Sequence, residues 1–235
     1  MNTAIILAGG VGTRMGADIP KQFICVKDKP IITYCLEIFE AHNMIDNIVI
    51  VASEQWQDFI SEQIKLYNIT KFYGYAPPGA TRQHSIFNGL KLASHFLCAQ
   101  DIVIVHDAVR PLVSDQIITD CLNGAMEKDG ALPVISVKDT VYQSINGDSI
   151  DKLLKREQLF AGQAPESFNF GKYYLIHTTV SDSEIASSVG SCVIAHRNGM
   201  DIKLVAGSER NIKITTKEDL DMFEAILDEN ERRAR

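Results

Sequence analysis

Short apolar runs alternate with amphipathic segments along most of the chain. The apolar runs predict buried strands at residues 3–7, 47–52, 71–75, 101–105, 131–137 and 201–205. Helical periodicity predicts helices at 30–41, 53–67, 82–97, 114–128, 171–178, 183–197 and 217–229. Since strands that alternate with helices form parallel sheets, we predict an α/β fold, with a largely parallel sheet and helices on both faces, in a single domain spanning 1–235.

The alternation breaks down at about 138–162. Two strand-like pieces, 139–144 and 150–154, flank an Asn146-Gly147-Asp148 turn, which is a hairpin signal. A lone hairpin cannot bury both of its faces. We predict a protruding β-hairpin arm that reaches a second subunit and forms a homodimer, although a hairpin folded back on its own sheet is the alternative.

Composition limits the classes of partner and compartment. The 235 residues are 46% hydrophobic and carry a net charge of −7, which suits one large core and disfavours a nucleic-acid polymer as partner. Five widely spaced cysteines without a C-x-x-C pair indicate reduced core thiols. We see no signal peptide and no apolar run long enough for a membrane helix. These features predict a cytoplasmic protein without a membrane partner.

The candidate chemistry begins in the loop after the first strand, Leu7-Ala8-Gly9-Gly10-Val11-Gly12-Thr13-Arg14-Met15-Gly16. Glycines allow a backbone to curl around a ligand, and successive N–H groups in such a loop bind phosphate oxygens. Arg14 and the nearby Lys21 add a planar donor fork and a point charge. The stretch therefore predicts a triphosphate-binding loop.

Two other interpretations of this loop remain open. It could be only a tight strand-to-helix connection, although such a turn has no need of two cations. Its glycine spacing also resembles a dinucleotide-binding fingerprint, which would make the protein a dehydrogenase. Pro20 would break the long helix that this fingerprint requires, so an irregular loop fits better.

Further cations stand in predicted loops or turns of this acidic chain, namely Arg82, Arg110, Arg156 and Lys213. Asp107 lies at the carboxyl end of a strand, where Mg²⁺ could bridge it to phosphate oxygens. An N-cap or an ion pair with Arg110 is the alternative for Asp107. No role is assigned to His84, His106 or His196. This set favours direct transfer between phosphates, in which a substrate phosphate attacks the α-phosphorus of a nucleoside triphosphate and pyrophosphate leaves.

Several motifs, in order along nearly the whole chain, resemble one enzyme family. The glycine loop with Pro20-Lys21-Gln22-Phe23 is similar to nucleotidyltransferases that activate sugar phosphates. The narrower resemblance, to cytidylyltransferases acting on alditol phosphates, is carried by Thr81-Arg82-x-x-Ser85, Val105-His106-Asp107-Ala108-Val109-Arg110-Pro111, Lys138-Asp139-Thr140, Ala164-Pro165-Glu166-Ser167-Phe168 and Asn211-Ile212-Lys213-Ile214-Thr215.

The resemblance implies a Rossmann-like nucleotidyltransferase fold, CTP and an alditol phosphate as substrates, Mg²⁺ as cofactor, and an arm that completes the partner subunit's site. It implies catalytic roles for Arg14, Lys21 and Lys213, which would stabilise the triphosphate, the transition state and the α-phosphate. It places the nucleotide against Ala8, Gly9, Gly10, Gly12, Gly79 and Ser85. It assigns the metal to Asp107 and the alditol phosphate to Arg110, Thr140 and Arg156.

Two positions depart from the family pattern. Ala80 stands where many relatives have an acidic residue, and Val189-Gly190-Ser191 replaces the Thr-Asp-Glu run of the methylerythritol-4-phosphate enzymes. Only Asp182, Glu184 and Ser188 lie near enough in sequence to compensate. The motifs at 162–168 and 211–216 look closer to the ribitol-5-phosphate branch, so we expect ribitol 5-phosphate as acceptor. Methylerythritol 4-phosphate is the alternative, and a non-catalytic CTP-binding protein is the hypothesis from a different class.

Overall fold

A computed structural model of the chain describes residues 1–10 and 19–234. These residues contain an eight-stranded mixed sheet in the order β10-β7-β11-β6-β1-β4-β5, with β12 paired to β7. The strands of this sheet are β1 Asn2–Leu7, β4 Asn47–Val51, β5 Phe72–Ala76, β6 Ile102–Asp107, β7 Gly130–Ser136, β10 Phe160–Gly162, β11 Glu166–Asn169 and β12 Ile202–Ala206.

The parallel core of this sheet follows from the apolar runs. β1 lies between β4 and β6 and is parallel to both, with Ile5 opposite Val49 on one side and Val105 on the other. All three side chains are fully buried. Successive residues of β1 join cores on opposite faces of the sheet, Ile6 on one and Ile5 on the other. A strand covered on both faces favours a continuous apolar run, and β1 has one from Ala4 to Leu7.

Helices cover both faces of the sheet, as predicted. They are α1 Ile31–Ala41, α2 Gln57–Leu66, α3 Arg82–Ala93, α4 Asp115–Glu127, α5 Phe170–Thr179, α6 Asp182–Ser187, α7 Ser191–Arg197 and α8 Lys217–Ala234. Buried residues of α1, α2 and α4 share one core, and buried residues of α3, α5 and α7 share the other. The predicted α/β class with helices on both faces is therefore confirmed.

Two short strands between the fifth and sixth predicted ones were not expected from the sequence. β11 inserts between β6 and β7 and is antiparallel to both, while β10 pairs antiparallel with β7. The sheet is therefore mixed at one end and parallel elsewhere. Only three or four residues long, these strands are too short to give a periodic signal.

Several predicted helix bounds were wrong. The helix expected at 53–67 starts as a 3₁₀ turn at Glu54–Trp56, and the one expected at 82–97 ends at Ala93. The single helix expected at 183–197 is two, α6 and α7, because the chain is extended at Ser188 and Gly190. The last helix continues to Ala234 instead of fraying after 229, because Arg233 pairs with Glu229 one turn earlier.

A small hairpin that the sequence analysis did not predict precedes α1. Its strands are β2 Cys25–Val26 and β3 Lys29–Pro30, joined by Lys27 and Asp28 with φ of 50° and 60°. Pro30 therefore precedes α1 instead of occupying its first turn. Of the five cysteines, Cys25 here and Cys98 are exposed, so the expectation that all five are core residues was wrong.

The predicted arm is present as a second hairpin. Its strands β8 Tyr142–Gln143 and β9 Lys152–Leu153 pair only with each other among the described residues. Gly147 turns the chain with φ +78°, and Ile145 and Ile150 are 84% and 67% exposed. The arm protrudes from the sheet instead of folding back on it. Its last predicted residues, 160–162, instead form β10 and belong to the main sheet.

No helix in the described part of the chain is long and apolar enough to cross a membrane.

Candidate active site

The loop after β1 is held by a buried glutamine. Gln22 Nε2 donates hydrogen bonds to the backbone oxygens of Ala8 (2.6 Å) and Gly10 (2.8 Å). Gln22 lies in a 3₁₀ turn, Lys21–Phe23, and the turn is fixed by stacking of Phe23 on Trp56 at 4.4 Å. The same turn therefore positions both the start of the glycine loop and Lys21. Gln22 belongs to the Pro20-Lys21-Gln22-Phe23 motif, but no role was predicted for it.

The glycines expected to contact a nucleotide face a second loop, which precedes α3. A Cβ on Gly9 would lie 2.5 Å from Pro78 Cβ, so the two loops touch only because residue 9 lacks a side chain. A Cβ on Gly10 would meet no described atom within 4 Å, so this position is open. Gly12 and Arg14 lie outside the described residues.

Gly79 and Ser85, both predicted to bind the nucleotide, contact each other. The Gly79 N–H donates to Ser85 Oγ at 3.0 Å. A Cβ on Gly79 would lie 2.3 Å from His84 Cβ and 2.7 Å from the His84 carbonyl carbon, so only glycine fits. The fold thus brings Ala8, Gly9, Gly10, Gly79 and Ser85 to the same edge of the sheet, where β1 ends and α3 begins.

Asp107 ends β6 at this edge and is surrounded by cations. Its carboxylate is 2.8 Å from Lys213 Nζ, 3.2 Å from the Arg82 guanidinium and 3.8 Å from Arg110 Nε. Burial alone would raise the pKa of Asp107, but the charges of Arg82, Lys213 and Arg110 outweigh it and hold the pKa well below its usual range. The suggested ion pair with Arg110 exists, but it is the longest of the three.

The Lys213 segment is fixed on both sides. Buried Asn211 donates to the Ala164 backbone oxygen at 2.7 Å and accepts at its own backbone oxygen from Arg110. The Ile214 N–H donates to the Val109 oxygen at 2.9 Å, and the Ile214 side chain is fully buried. These contacts explain how an exposed loop presents Lys213 to Asp107 in a defined position.

Arg82, the first residue of α3, joins Asp107 to a second buried carboxylate. Its guanidinium donates to Glu166 Oε1 at 3.2 Å and to Ser191 Oγ at 2.6 Å. Ser191 Oγ in turn donates to Glu166 Oε1 at 2.8 Å, and the Cys192 N–H donates to Glu166 Oε2 at 2.9 Å. Glu166 and Ser191 were not predicted as site residues, and Arg82 was noted only as a cation. Glu166 stood in a quoted motif, which was the available signal.

These groups open onto a cleft of about 300 Å³. The cleft is lined by five charged residues, Arg82, Asp107, Arg110, Glu166 and Lys213, and by Leu132, Gly162, Gln163, Ala164, Val189, Gly190, Cys192 and Val193. Three cations that line one small cleft favour binding of a phosphate monoester, and most of the other, uncharged lining residues are apolar. The cleft therefore has the chemistry of a site for a small phosphorylated molecule.

Thr140 and Arg156 do not line this cleft. Both line a separate cleft of about 520 Å³ on the arm, together with residues 153–155 and Glu157. Arg156 donates to the Lys138 backbone oxygen at 2.8 Å. Within one chain, therefore, Arg110 is not brought together with Thr140 and Arg156, because the arm projects away from the sheet edge.

The residues suggested to replace the Thr-Asp-Glu run have other partners. An Asp182 carboxylate oxygen lies 2.9 Å from His84 Nε2. Glu184 accepts a hydrogen bond from the Asn198 side chain, and the Ser188 hydroxyl donates one to the Glu184 backbone oxygen. The carboxylate behind Ser191 is instead Glu166, which is distant in sequence. Proximity along the chain was the wrong criterion here, since β11 brings Glu166 under this segment.

His106 is a packed residue, in agreement with the lack of an assigned role. Its Nε2 lies 3.1 Å from the Arg110 backbone oxygen, and its ring packs on Phe39 at 5.1 Å. Burial lowers the pKa of His106 to about 4, so the ring is neutral at pH 7.

The model of the IspD family, 2-C-methyl-D-erythritol 4-phosphate cytidylyltransferase, matches residues 2–229. The chain belongs to this family. It is thereby a cytidylyltransferase, one of the nucleotidyltransferases, and the dehydrogenase interpretation is excluded.

Relatives with two different names match the chain over most of its length. A ribitol-5-phosphate cytidylyltransferase from Lacticaseibacillus paracasei is 35% identical, over 98% of this chain and 100% of the relative. A 2-C-methyl-D-erythritol 4-phosphate cytidylyltransferase from Clostridium novyi is 38% identical, over 97% and 96%. Overall identity therefore does not distinguish the two acceptors.

Solved structures agree with the fold. The 4-diphosphocytidyl-2C-methyl-D-erythritol synthase from Anaerococcus prevotii superposes with a TM-score of 0.81 at 26% identity, covering 97% of this chain and 96% of that one. The Rossmann-like nucleotidyltransferase fold that the sequence motifs implied is confirmed.

Proposed function

We propose that this cytidylyltransferase transfers CMP from CTP to an alditol phosphate, with D-ribitol 5-phosphate as the acceptor. The observation that carries the proposal is the convergence of Arg82, Arg110 and Lys213 around Asp107 at the sheet edge where the glycine loop begins. Two phosphate-bearing substrates can meet there, one at the loop and one in the cleft.

The proposed reaction is an in-line displacement at the α-phosphorus of CTP. An acceptor phosphate oxygen forms the new P–O bond, the bond between the α- and β-phosphates breaks, and pyrophosphate carries away the electron pair. The backbone amides of Gly9, Gly10 and Gly12 bind the triphosphate beside Ala8, whose own N–H donates to the Val51 oxygen at 2.9 Å, and Gly79 and Ser85 hold the cytosine and ribose. Little covalent help is needed, because positioning and charge neutralisation supply most of the rate.

The cations divide the developing charge in this proposal. Arg14 and Lys21 neutralise the triphosphate and the transition state, and Lys213 neutralises the α-phosphate. Arg110 holds the acceptor phosphate in the cleft. Lys213 is 40% exposed at its side chain, so its ammonium can leave Asp107 for a phosphate without unfolding the loop.

Mg²⁺ is the proposed cofactor, with Asp107 as its protein ligand. No group of three or more metal-binding side chains exists in the described part of the chain, but Mg²⁺ in such enzymes needs only one or two carboxylates plus substrate phosphates. The low pKa of Asp107 keeps that carboxylate ionised, and the 40% exposed Lys213 side chain would move from it to the phosphates so that Mg²⁺ could take its place. Bound there, Mg²⁺ would neutralise charge on the phosphate oxygens.

The enzyme is proposed to work as a homodimer through the arm. Exposed apolar side chains on the hairpin, including Tyr142, Ile145, Ile150 and Leu153, favour burial against a second chain. Thr140 and Arg156 would then complete the acceptor cleft of the partner, which explains why one chain separates them from Arg110.

The choice of ribitol over methylerythritol is supported by the local motifs at 162–168 and 211–216, since overall identity is neutral. Pyrophosphate release from CTP and Mg²⁺ is measured with each acceptor, and the product is identified by mass spectrometry. A kcat/KM at least tenfold higher with ribitol 5-phosphate supports the proposal. Preference for methylerythritol 4-phosphate would overturn the acceptor, and CTP binding without turnover on either would favour a non-catalytic protein.

A further inference from the structure

Glu166 lines the proposed acceptor cleft and contacts Arg82, which begins α3 beside the proposed nucleotide site. Its carboxylate is 7% exposed and receives donors from three directions, namely the Arg82 guanidinium, the Ser191 hydroxyl and the Cys192 N–H. A buried carboxylate persists only when its oxygens are fully compensated. Two of the three donor residues, Arg82 and Cys192, line the cleft, and Ser191 lies between Gly190 and Cys192, which both line it.

The segment 181–191 contributes Val189 and Gly190 to the lining of the cleft as its rim, and it depends on these contacts. Gly190 precedes α7 without any side-chain cap, and Glu166 Oε2 replaces the missing cap from a different strand by accepting from Cys192 N–H. At the other end of the rim, Asp182 contacts His84 Nε2 at 2.9 Å. Arg82 and His84 belong to the same turn of α3, so one helical turn holds both ends of the rim.

From this arrangement we propose that Glu166 is a positioning residue for acceptor binding. It fixes Arg82 and the rim at Val189 and Gly190 so that the cleft accepts the phosphorylated acceptor, whereas CTP binds at the glycine loop. This inference rests on the proposed function for the identity of the acceptor. It goes beyond it by assigning a role to a residue outside the motif roles described above.

The test compares Glu166→Gln and Ser191→Ala with Ser167→Ala as the matched control. Ser167 is the next residue of β11, fully buried, and donates to the Cys121 backbone oxygen on the other face of the sheet. Its loss weakens the same strand without touching the cleft. For each variant, the KM of acceptor and of CTP, kcat, the Kd of CTP alone and the melting temperature are measured.

Glu166→Gln is expected to raise the acceptor KM roughly tenfold, as loss of a charge-assisted hydrogen bond does, and to leave the Kd of CTP within about twofold. Ser191→Ala is expected to raise the acceptor KM by about threefold, and the double variant by less than the product of the two, because both act through Arg82. Ser167→Ala should lower the melting temperature and change neither constant.

Equal rises in both KM values, or a lower melting temperature alone, would overturn the proposal. If Glu166→Gln does not fold, an unchanged acceptor KM in Ser191→Ala overturns it equally. Wild-type enzyme is assayed first with ribitol 5-phosphate and methylerythritol 4-phosphate. Turnover with only the second refutes the proposed acceptor while leaving this test intact with the acceptor that is used. If neither turns over, direct calorimetric titration of each acceptor into wild type and Glu166→Gln decides the inference, and equal affinities contradict it.

Discussion

Lys213 Nζ lies 2.8 Å from Asp107 Oδ2, although the end of strand β6 and the Lys213 loop are far apart in the sequence. The pair combines the cation proposed to neutralise the α-phosphate with the carboxylate proposed to hold Mg²⁺. Arg82 and Arg110 complete the cluster, so three positive charges surround the single negative charge of Asp107. Excess positive charge at a sheet edge is what an incoming polyphosphate requires.

Removing the Lys213 ammonium is expected to reduce turnover. Lys213→Ala should lower kcat by about 10²–10³, since one preorganised charge-stabilising donor is lost. The fold should be unchanged, because the side chain is 40% exposed and Asp107 keeps both arginines. Steady-state kinetics and circular dichroism check this, with Lys128→Ala as control, since Lys128 pairs with Asp201 away from the site. A near-normal kcat would contradict the role of Lys213, and the same reduction is expected for Lys21→Ala.

Gln22 should control CTP affinity through the shape of the glycine loop. Gln22→Glu places a carboxylate oxygen against the backbone oxygens of Ala8 and Gly10, where an N–H donor stood. We expect the Kd of CTP to rise about tenfold and stability to fall by about 1–3 kcal/mol, the cost of leaving buried acceptors without a donor. Calorimetric titration measures the affinity. Gln116→Glu, an exposed glutamine on α4, is the control, and equal CTP affinity in both variants would refute the role.

Gly79 is expected to tolerate no side chain. Gly79→Ala would bring its Cβ within 3 Å of the His84 and Ser85 backbone, so the first turn of α3 must shift. The Kd of CTP should rise at least about tenfold, because a shift of about 1 Å in positioning groups has effects of this size. Gly74→Ala on β5, whose Cβ would lie an ordinary 3.6 Å from Leu92, is the control. Unchanged CTP binding in Gly79→Ala would separate this loop from the nucleotide site.

Arg156 provides a test of the composite site. Arg156→Ala should raise the acceptor KM more than the CTP KM, because its side chain is 53% exposed on the arm and remote from the glycine loop. In a mixed dimer, one site combines the native Lys213 of the Arg156→Ala chain with the native Arg156 of the Lys213→Ala chain. Random mixing makes about half of the dimers mixed, each with one native site of two, so about a quarter of wild-type activity should be restored. Activity that stays at the level of the separate variants would show that each chain works with its own arm.

His106 should make stability depend on pH. Its pKa is about 4 in the folded state and 6.5 when unfolded, so between these values only the unfolded chain takes up the proton. Stability from this group is complete above pH 6.5 and falls with decreasing pH, by about 2 kcal/mol at pH 5. Urea unfolding at pH 7.5 and 5 measures the loss, which should shrink by that amount in His106→Gln. An identical pH dependence in both proteins would contradict the lowered pKa.

The parallel half of the fold could be predicted from the sequence, because buried strands such as β1 contain a continuous apolar run and the helices carry one apolar face. The arm was predictable from its Asn-Gly-Asp turn. β10 and β11 could not be, since three or four residues give no period, and their antiparallel pairing depends on the tertiary course of the chain. The break between α6 and α7 was missed because Ile185, Val189 and Cys192 recur at helical spacing across it.

For the site, sequence motifs predicted which residues would gather at the carboxyl ends of the strands. Ala8, Gly9, Gly10, Gly79 and Ser85 meet there, and so do Asp107, Arg110 and Lys213. The roles of Gln22, Glu166 and Ser191 depend on the residues with which they form hydrogen bonds, and those residues are distant in sequence. Arg14 and Gly12 lie outside the described residues, and Thr140 and Arg156 lie on the arm. The roles of all the predicted site residues stay predictions.

A crystal structure with CTP tests the central claim most directly. We expect the triphosphate to lie along the loop of residues 8–16, with Lys21 at its phosphates. The α-phosphate should lie next to Lys213 and the base against Gly79 and Ser85. Density for CTP at another place on the sheet, or a glycine loop closed by its own side chains at saturating CTP, would contradict it.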